Sequence, residues 1–159
     1  MADRLGVIMS NTLKAIESGK EEIFLIAESA RAETQRLTNE LEILKEELFK
    51  TIEEVDKYEQ MDRRLRHQLM IVSCDYTDYS ENEMLDIYTK ARDVQTQLKI
   101  LQSQELQLRS RRDDLERSLR QMESTIERAE NLLNQVSLAI SFLHGGLTEL
   151  AQGHNSPEQ

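Results

Sequence analysis

The sequence predicts an all-α protein: two long helices folded into an antiparallel coiled-coil hairpin that dimerises. Three observations carry this expectation. Two lines of apolar residues repeat every seven positions, a short polar break separates them, and the composition lacks the large side chains of a globular core. The 159 residues include one Pro, five Gly, no Trp and only 4% aromatics, which is the composition of long helices. A strict seven-residue repeat falls short of two turns of a relaxed helix, so it persists only where a helix coils left-handedly around a partner.

The first apolar line starts at Met9 and steps alternately by four and three residues through Leu13, Ile16, Lys20 and Ile23 to Val72. Fifteen of its 19 positions are apolar, and Lys20, Thr34, Thr51 and Asp62 are the exceptions. The phase never slips, which predicts one helix over about residues 5–72. Ser18 with Glu21 makes a capping-box pattern and Gly19 weakens a helix interior, so the expectation is a continuous helix with a soft point there.

Residues 73–80, Ser-Cys-Asp-Tyr-Thr-Asp-Tyr-Ser, are rich in cap and turn formers and predict a loop. Ser80 with Glu83 forms a second capping box where the second line begins. A loop of this length lets the second helix fold back on the first.

The second line starts at Met84 and steps alternately by three and four residues to Leu150. Only Glu105 and Arg112 of its 20 positions are not apolar. The predicted helix covers about 81–150, although paired glycines at Gly145-Gly146 suit a C-cap. Residues 1–151 thus form one helical domain, and 152–159 are a polar tail expected to be disordered.

Composition also excludes function classes. A net charge of −10 argues against nucleic-acid partners and anionic membrane surfaces. No apolar run approaches the ~18 residues of a membrane span, and the first residues carry no signal-peptide pattern. The single cysteine, Cys74, cannot make an internal disulfide or a Cys-based zinc site. The expected location is the cytoplasm.

Asp75, Asp78 and Glu81 lack the central glycine of a calcium loop and read as turn chemistry. His67, His144 and His154 neither accompany a nucleophile nor form a His-x-x-x-His pair. Arg109, Arg111, Arg112, Arg117 and Arg120 interleave with Asp113, Asp114 and Glu116, with Asp113 to Arg117 and Glu116 to Arg120 spaced as i,i+4 ion pairs. This reads as a solvated helix face rather than an RNA-binding stripe. No catalytic, cofactor-binding or metal residue is expected.

Two features remain. Asp62, Glu105 and Arg112 place charge on inward positions, where such residues fix register or make a seam switchable. Phe24, Ile26, Leu132, Leu138 and Phe142 lie off the seams, on a surface too broad for one partner helix, and are the expected dimer interface.

The run LQLRSRRDDLERSLRQMESTIERAENLLNQVSLAISFL, Leu106 to Leu143, closely resembles the sensor region of DegS-type histidine kinases. The likeness extends to GKEEIFLIAESAR (19–31) and YSENEMLDIYTKARDVQTQL (79–98). It covers roughly residues 10–150, with RRDDLER (111–117) its most specific part. The resemblance implies a cytoplasmic sensor that regulates a downstream catalytic half, which autophosphorylates on histidine and passes phosphate to a DegU-like response regulator. This chain has no Glu-x-His-Asp phosphoacceptor pattern and no Gly-rich ATP-binding segment, so no catalytic residue carries over. It is expected not to be an enzyme by itself. The alternative expectation is a stand-alone structural or adaptor coiled coil.

Overall fold

The computed structural model describes residues 2–74 and 78–155. Two helices account for nearly all of them: α1, Ala2–Cys74, and α2, Glu81–Asn155. No strand occurs among the described residues.

The capping box at the second helix start is formed reciprocally. The Glu83 backbone N–H donates to Ser80 Oγ at 3.2 Å, and the Ser80 N–H donates to Glu83 Oε2 at 3.2 Å. Two otherwise unpaired backbone donors are satisfied together, and α2 is fixed to begin just after Ser80. α1 is continuous through Gly19, where an added Cβ would meet nothing within 4 Å. Seventeen or so turns of in-phase apolar burial outweigh the ~1 kcal/mol that one interior glycine costs.

Helix ends differ from expectation. α1 extends two residues past Val72 to Cys74 and begins at Ala2 rather than near Leu5. α2 passes through Gly145 and Gly146 and ends at Asn155, so Gln152–Asn155 are helical rather than part of an irregular tail. Leu147 and Leu150 stay in phase beyond the glycines and keep burying apolar surface, which offsets two weak helix formers. Residues 75–77 and 156–159 lie outside the described residues.

The chain divides into two units: Met1–Leu37 with Ser118–Gln159 (unit 1), and Thr38–Arg117 (unit 2). Within each, α1 and α2 segments pack antiparallel. In unit 1, Arg31 pairs with Glu130 and Glu17 with His144, so numbers rise on one helix as they fall on the other. Gly146 also admits the Met9 side chain: a Cβ at Gly146 would lie 2.7 Å from the Met9 methyl. In unit 2, Glu40 pairs with Arg111, while Met61 and Leu65 lie beside Lys90 and Val94.

Burial follows the seams without exception. Every residue of both apolar lines is buried or half-buried, and all buried residues lie on them. α1 supplies most of the fully buried positions, including Ala27, Leu37, Leu44 and Leu48. Among the described residues α2 supplies Ala91, Val94, Leu101 and Ala129. The rest of its inward line, including Ile126, Leu133, Ile140 and Leu143, remains half-buried.

Candidate functional site

Asp62, Glu105 and Arg112 all fall in unit 2, but the structure does not bring them together. Asp62 is the one buried charged side chain among the described residues, 7% exposed. Its Oδ2 accepts from Arg66 Nε at 3.0 Å, one helical turn on, whereas Oδ1 has no partner. Glu105 is half-buried, and its Oε1 accepts from both Nε and Nη2 of Arg109 at 3.0 and 2.8 Å. Arg112, also half-buried, donates through Nε and Nη2 to Asp113 Oδ1 at 3.3 and 3.2 Å. Each is therefore served by its own helix. Only Asp62 keeps an unsatisfied oxygen in the seam, where an unpaired polar atom is costly.

This arrangement revises the expected charge pairing on α2. Arg117 approaches Asp114 at 3.5 Å rather than Asp113, which serves Arg112 instead, and Glu116 and Arg120 form no ion pair. The i,i+4 spacing made those contacts available, but Arg117 meets Asp114 instead and Arg120 stays unpaired among the described residues.

The five expected interface residues all fall in unit 1 and all are exposed, although unit 2 also exposes off-seam apolar residues, among them Ile43, Phe49 and Leu106. Phe24, Ile26 and Leu132 are about half exposed, Leu138 more so, and Phe142 is 80% exposed. Leu25 joins them. An open groove of about 740 Å³ lies against Leu25, Ile26, Ala30 and Met122. Its small side chains leave room that a large apolar side chain from elsewhere can enter.

Two cross-helix ion pairs were invisible in the sequence, because they depend on register rather than spacing. In unit 1, Arg31 Nη2 donates to Glu130 Oε1 at 2.9 Å while Nη1 donates to Glu28 Oε1 at 2.7 Å. The bond to Glu130, then that to Glu28, raises the Arg31 guanidinium above its ordinary value. In unit 2, Arg111 Nη2 donates to Glu40 Oε1 at 2.7 Å. Arg36 bonds the Glu33 carboxylate and holds it below its ordinary range. The arginines are largely exposed and the acids at most half-buried, so such pairs set alignment more than stability.

Among the described residues no group of His, Cys, Asp or Glu is placed to hold a metal. No helix there is long and apolar enough to cross a membrane. Cys74 is free and exposed at the end of α1, and Asp75 lies outside the described residues.

Comparison with known proteins decides the family. The family described as "Sensor protein DegS" matches residues 6–159. The chain belongs to the DegS sensor family. It is 37% identical over 146 residues to a protein of Bacillus subtilis (strain 168) named "Signal transduction histidine-protein kinase/phosphatase DegS", covering 92% of this chain and 38% of that one. A protein of the same name from Brevibacillus brevis is 36% identical over 148 residues, covering 93% and 38%. This chain thus spans 38% of the length of the curated relatives it matches. No solved structure matches it.

Proposed function

We propose that this DegS-family chain is the cytoplasmic signal-input and dimerisation module of a histidine kinase. It governs the autophosphorylation of a catalytic half and the passage of phosphate from that half to a DegU-like response regulator. The observation that carries the reading is the family match across residues 6–159, on an α2 that is helical without interruption from Glu81 to Asn155. A continuous helix transmits rotation or axial shift along its length, because its hydrogen-bonded turns do not bend independently.

The homodimer is part of the same reading. The exposed cluster of Phe24, Ile26, Leu132, Leu138 and Phe142 and the half-buried inward line of α2 support a second copy covering unit 1. Asp62, Glu105 and Arg112 would keep the seam of unit 2 near a balance between two packings. A shift of 1–3 kcal/mol changes such a balance roughly 5- to 150-fold.

The test is a chimera joining this chain, with the helical phase of α2 preserved, to a DegS-type catalytic half. Autophosphorylation should differ from that of the catalytic half alone and should change when the phase is shifted by inserted residues. Equal rates in all three would identify the chain as a passive coiled coil.

A further inference from the structure

An open groove of about 750 Å³ runs beside the seam in unit 2, at the level of Leu65 and Val94. On α1 its wall is Met61, Arg64, Leu65 and Gln68, spaced i, i+3, i+4 and i+7 and hence on one helix face. His67 adds to that wall, and Lys90, Asp93 and Val94 form the wall on α2. The floor is apolar, and the rim carries Arg64 and Lys90 with the imidazole of His67 against one acid, Asp93.

Arg31, Arg36, Arg66, Arg109, Arg111, Arg112 and Arg117 each meet a carboxylate. Arg64, His67 and Gln68 have no ion pair or hydrogen bond among the described residues. Other cations, among them Arg92, Arg120 and Arg128, also lack an ion pair among the described residues, and what this rim adds is an apolar floor beside such groups. Lys90 meets Asp86 at 3.0 Å with its side chain still 65% exposed, so its ammonium keeps donors for a second acceptor.

We propose that this groove is a binding site for a small organic anion, a carboxylate or phosphate head on a short apolar body. The head would sit among Arg64, His67 and Lys90, and the body against Met61, Leu65 and Val94. The volume lies in the 300–1,000 Å³ range typical of small-molecule sites. A polyanion is disfavoured by the chain's net charge of −10. A small anion gains most of its affinity from the apolar wall and its orientation from the unpaired Arg64 and the remaining donors of Lys90. The site rests on the sensing reading for its purpose, because an occupant touching both helices would favour one packing of the seam over another.

The test is ligand-observed saturation-transfer NMR on the whole chain, with hexanoate and hexyl phosphate as anionic probes and hexanol and hexylammonium as controls. Saturable binding of at least one anion at millimolar concentration is expected, with the controls at least about tenfold weaker. Arg64→Gln and Lys90→Gln, one on each helix, should each weaken the anion about tenfold, while Leu25→Ser, in the unit 1 groove, should not. Equal binding of hexanol, no saturable binding of either anion, or loss on Leu25→Ser without loss on Arg64→Gln would each overturn the site. Binding without any regulation in the chimera would leave the site standing and sink the sensing role. Regulation without anion binding would do the reverse.

Discussion

Asp62→Leu should make the protein more stable, although it deletes an ion pair. Asp62 is 7% exposed, its Oδ1 has no partner, and its Oδ2 meets the largely exposed Arg66. An unsatisfied buried polar group costs about 1–3 kcal/mol, and the lost pair with an exposed arginine is worth about 0.3–0.5 kcal/mol. Leucine forms helices better than aspartate, by a few tenths of a kcal/mol, and restores the apolar line. The net gain is about 1–4 kcal/mol, the range found when buried ionic groups give way to well-packed apolar ones. A gain of about 2 kcal/mol raises Tm by roughly 4–8 °C in a chain of this size.

Far-ultraviolet circular dichroism during heating reads this directly. Leu is bulkier than Asp at a position that is already buried, so Leu at 62 risks overpacking. Asp62→Ala removes the same oxygens without adding bulk and separates the two effects. If Leu melts lower and Ala higher, packing limits the site but the oxygen is unsatisfied. If both melt below the parent, Oδ1 is satisfied in solution and the reading of Asp62 as a strained seam residue is wrong.

Three further outcomes follow from the same contacts. Glu105→Leu with Arg112→Leu should stabilise by less than Asp62→Leu, because Arg109 and Asp113 already satisfy both groups; a larger rise in Tm would refute this ranking. Phe142→Glu, in the exposed cluster of unit 1, should weaken self-association far more than Leu85→Glu in unit 2. Sedimentation showing a monomer at tens of micromolar, or equal effects, would remove the proposed interface. Glu33 is held below its ordinary value of 4.5 by Arg36, so the stability this pair adds is present above that value and is lost as pH falls through the lowered one. Glu33→Gln should therefore destabilise at neutral pH and match the parent in acid, and a deficit that persists at low pH would assign its cause elsewhere.

The seams were legible in the sequence because heptad periodicity is local: residues three and four apart share a helix face whatever the partner. Ser80 was legible for the same reason, since its cap is satisfied within four residues. The far end of α2 was not. Gly145-Gly146 carries a stop signal of about 2 kcal/mol at most, and in-phase Leu147 and Leu150 override it. Pairs such as Arg31 with Glu130 and Arg111 with Glu40 were hidden, because many acids and arginines on the two helices are equivalent until register is fixed. The groove of Arg64, His67 and Lys90 was hidden on the same ground: it draws on both helices, and neither half is unusual alone. The inward position of Asp62 was readable, but its orphaned oxygen was not.

The chain weakens its two units by different means. All five glycines, at 6, 19, 145, 146 and 153, belong to unit 1 and none to unit 2. Of the inward charged residues, Asp62, Glu105 and Arg112 belong to unit 2 and only Lys20 to unit 1. An interior glycine lowers helix stability while leaving the choice of partner untouched. A polar group in a seam acts in reverse, because the helix survives while one packing of the two helices loses its advantage over others. Under the proposed sensing role these are separate settings. Ionic seam residues let a ligand in unit 2 shift packing with a modest differential affinity, since about 1–3 kcal/mol already moves a balanced equilibrium severalfold or more. Glycines in unit 1 lower the energy needed for α2 to bend or unwind there. Replacing Gly145 by Ala should then stiffen the helix, at a site where a Cβ meets open space, without altering anion binding in unit 2. Replacing Asp62 should leave the helix intact and narrow the range over which a ligand changes kinase output.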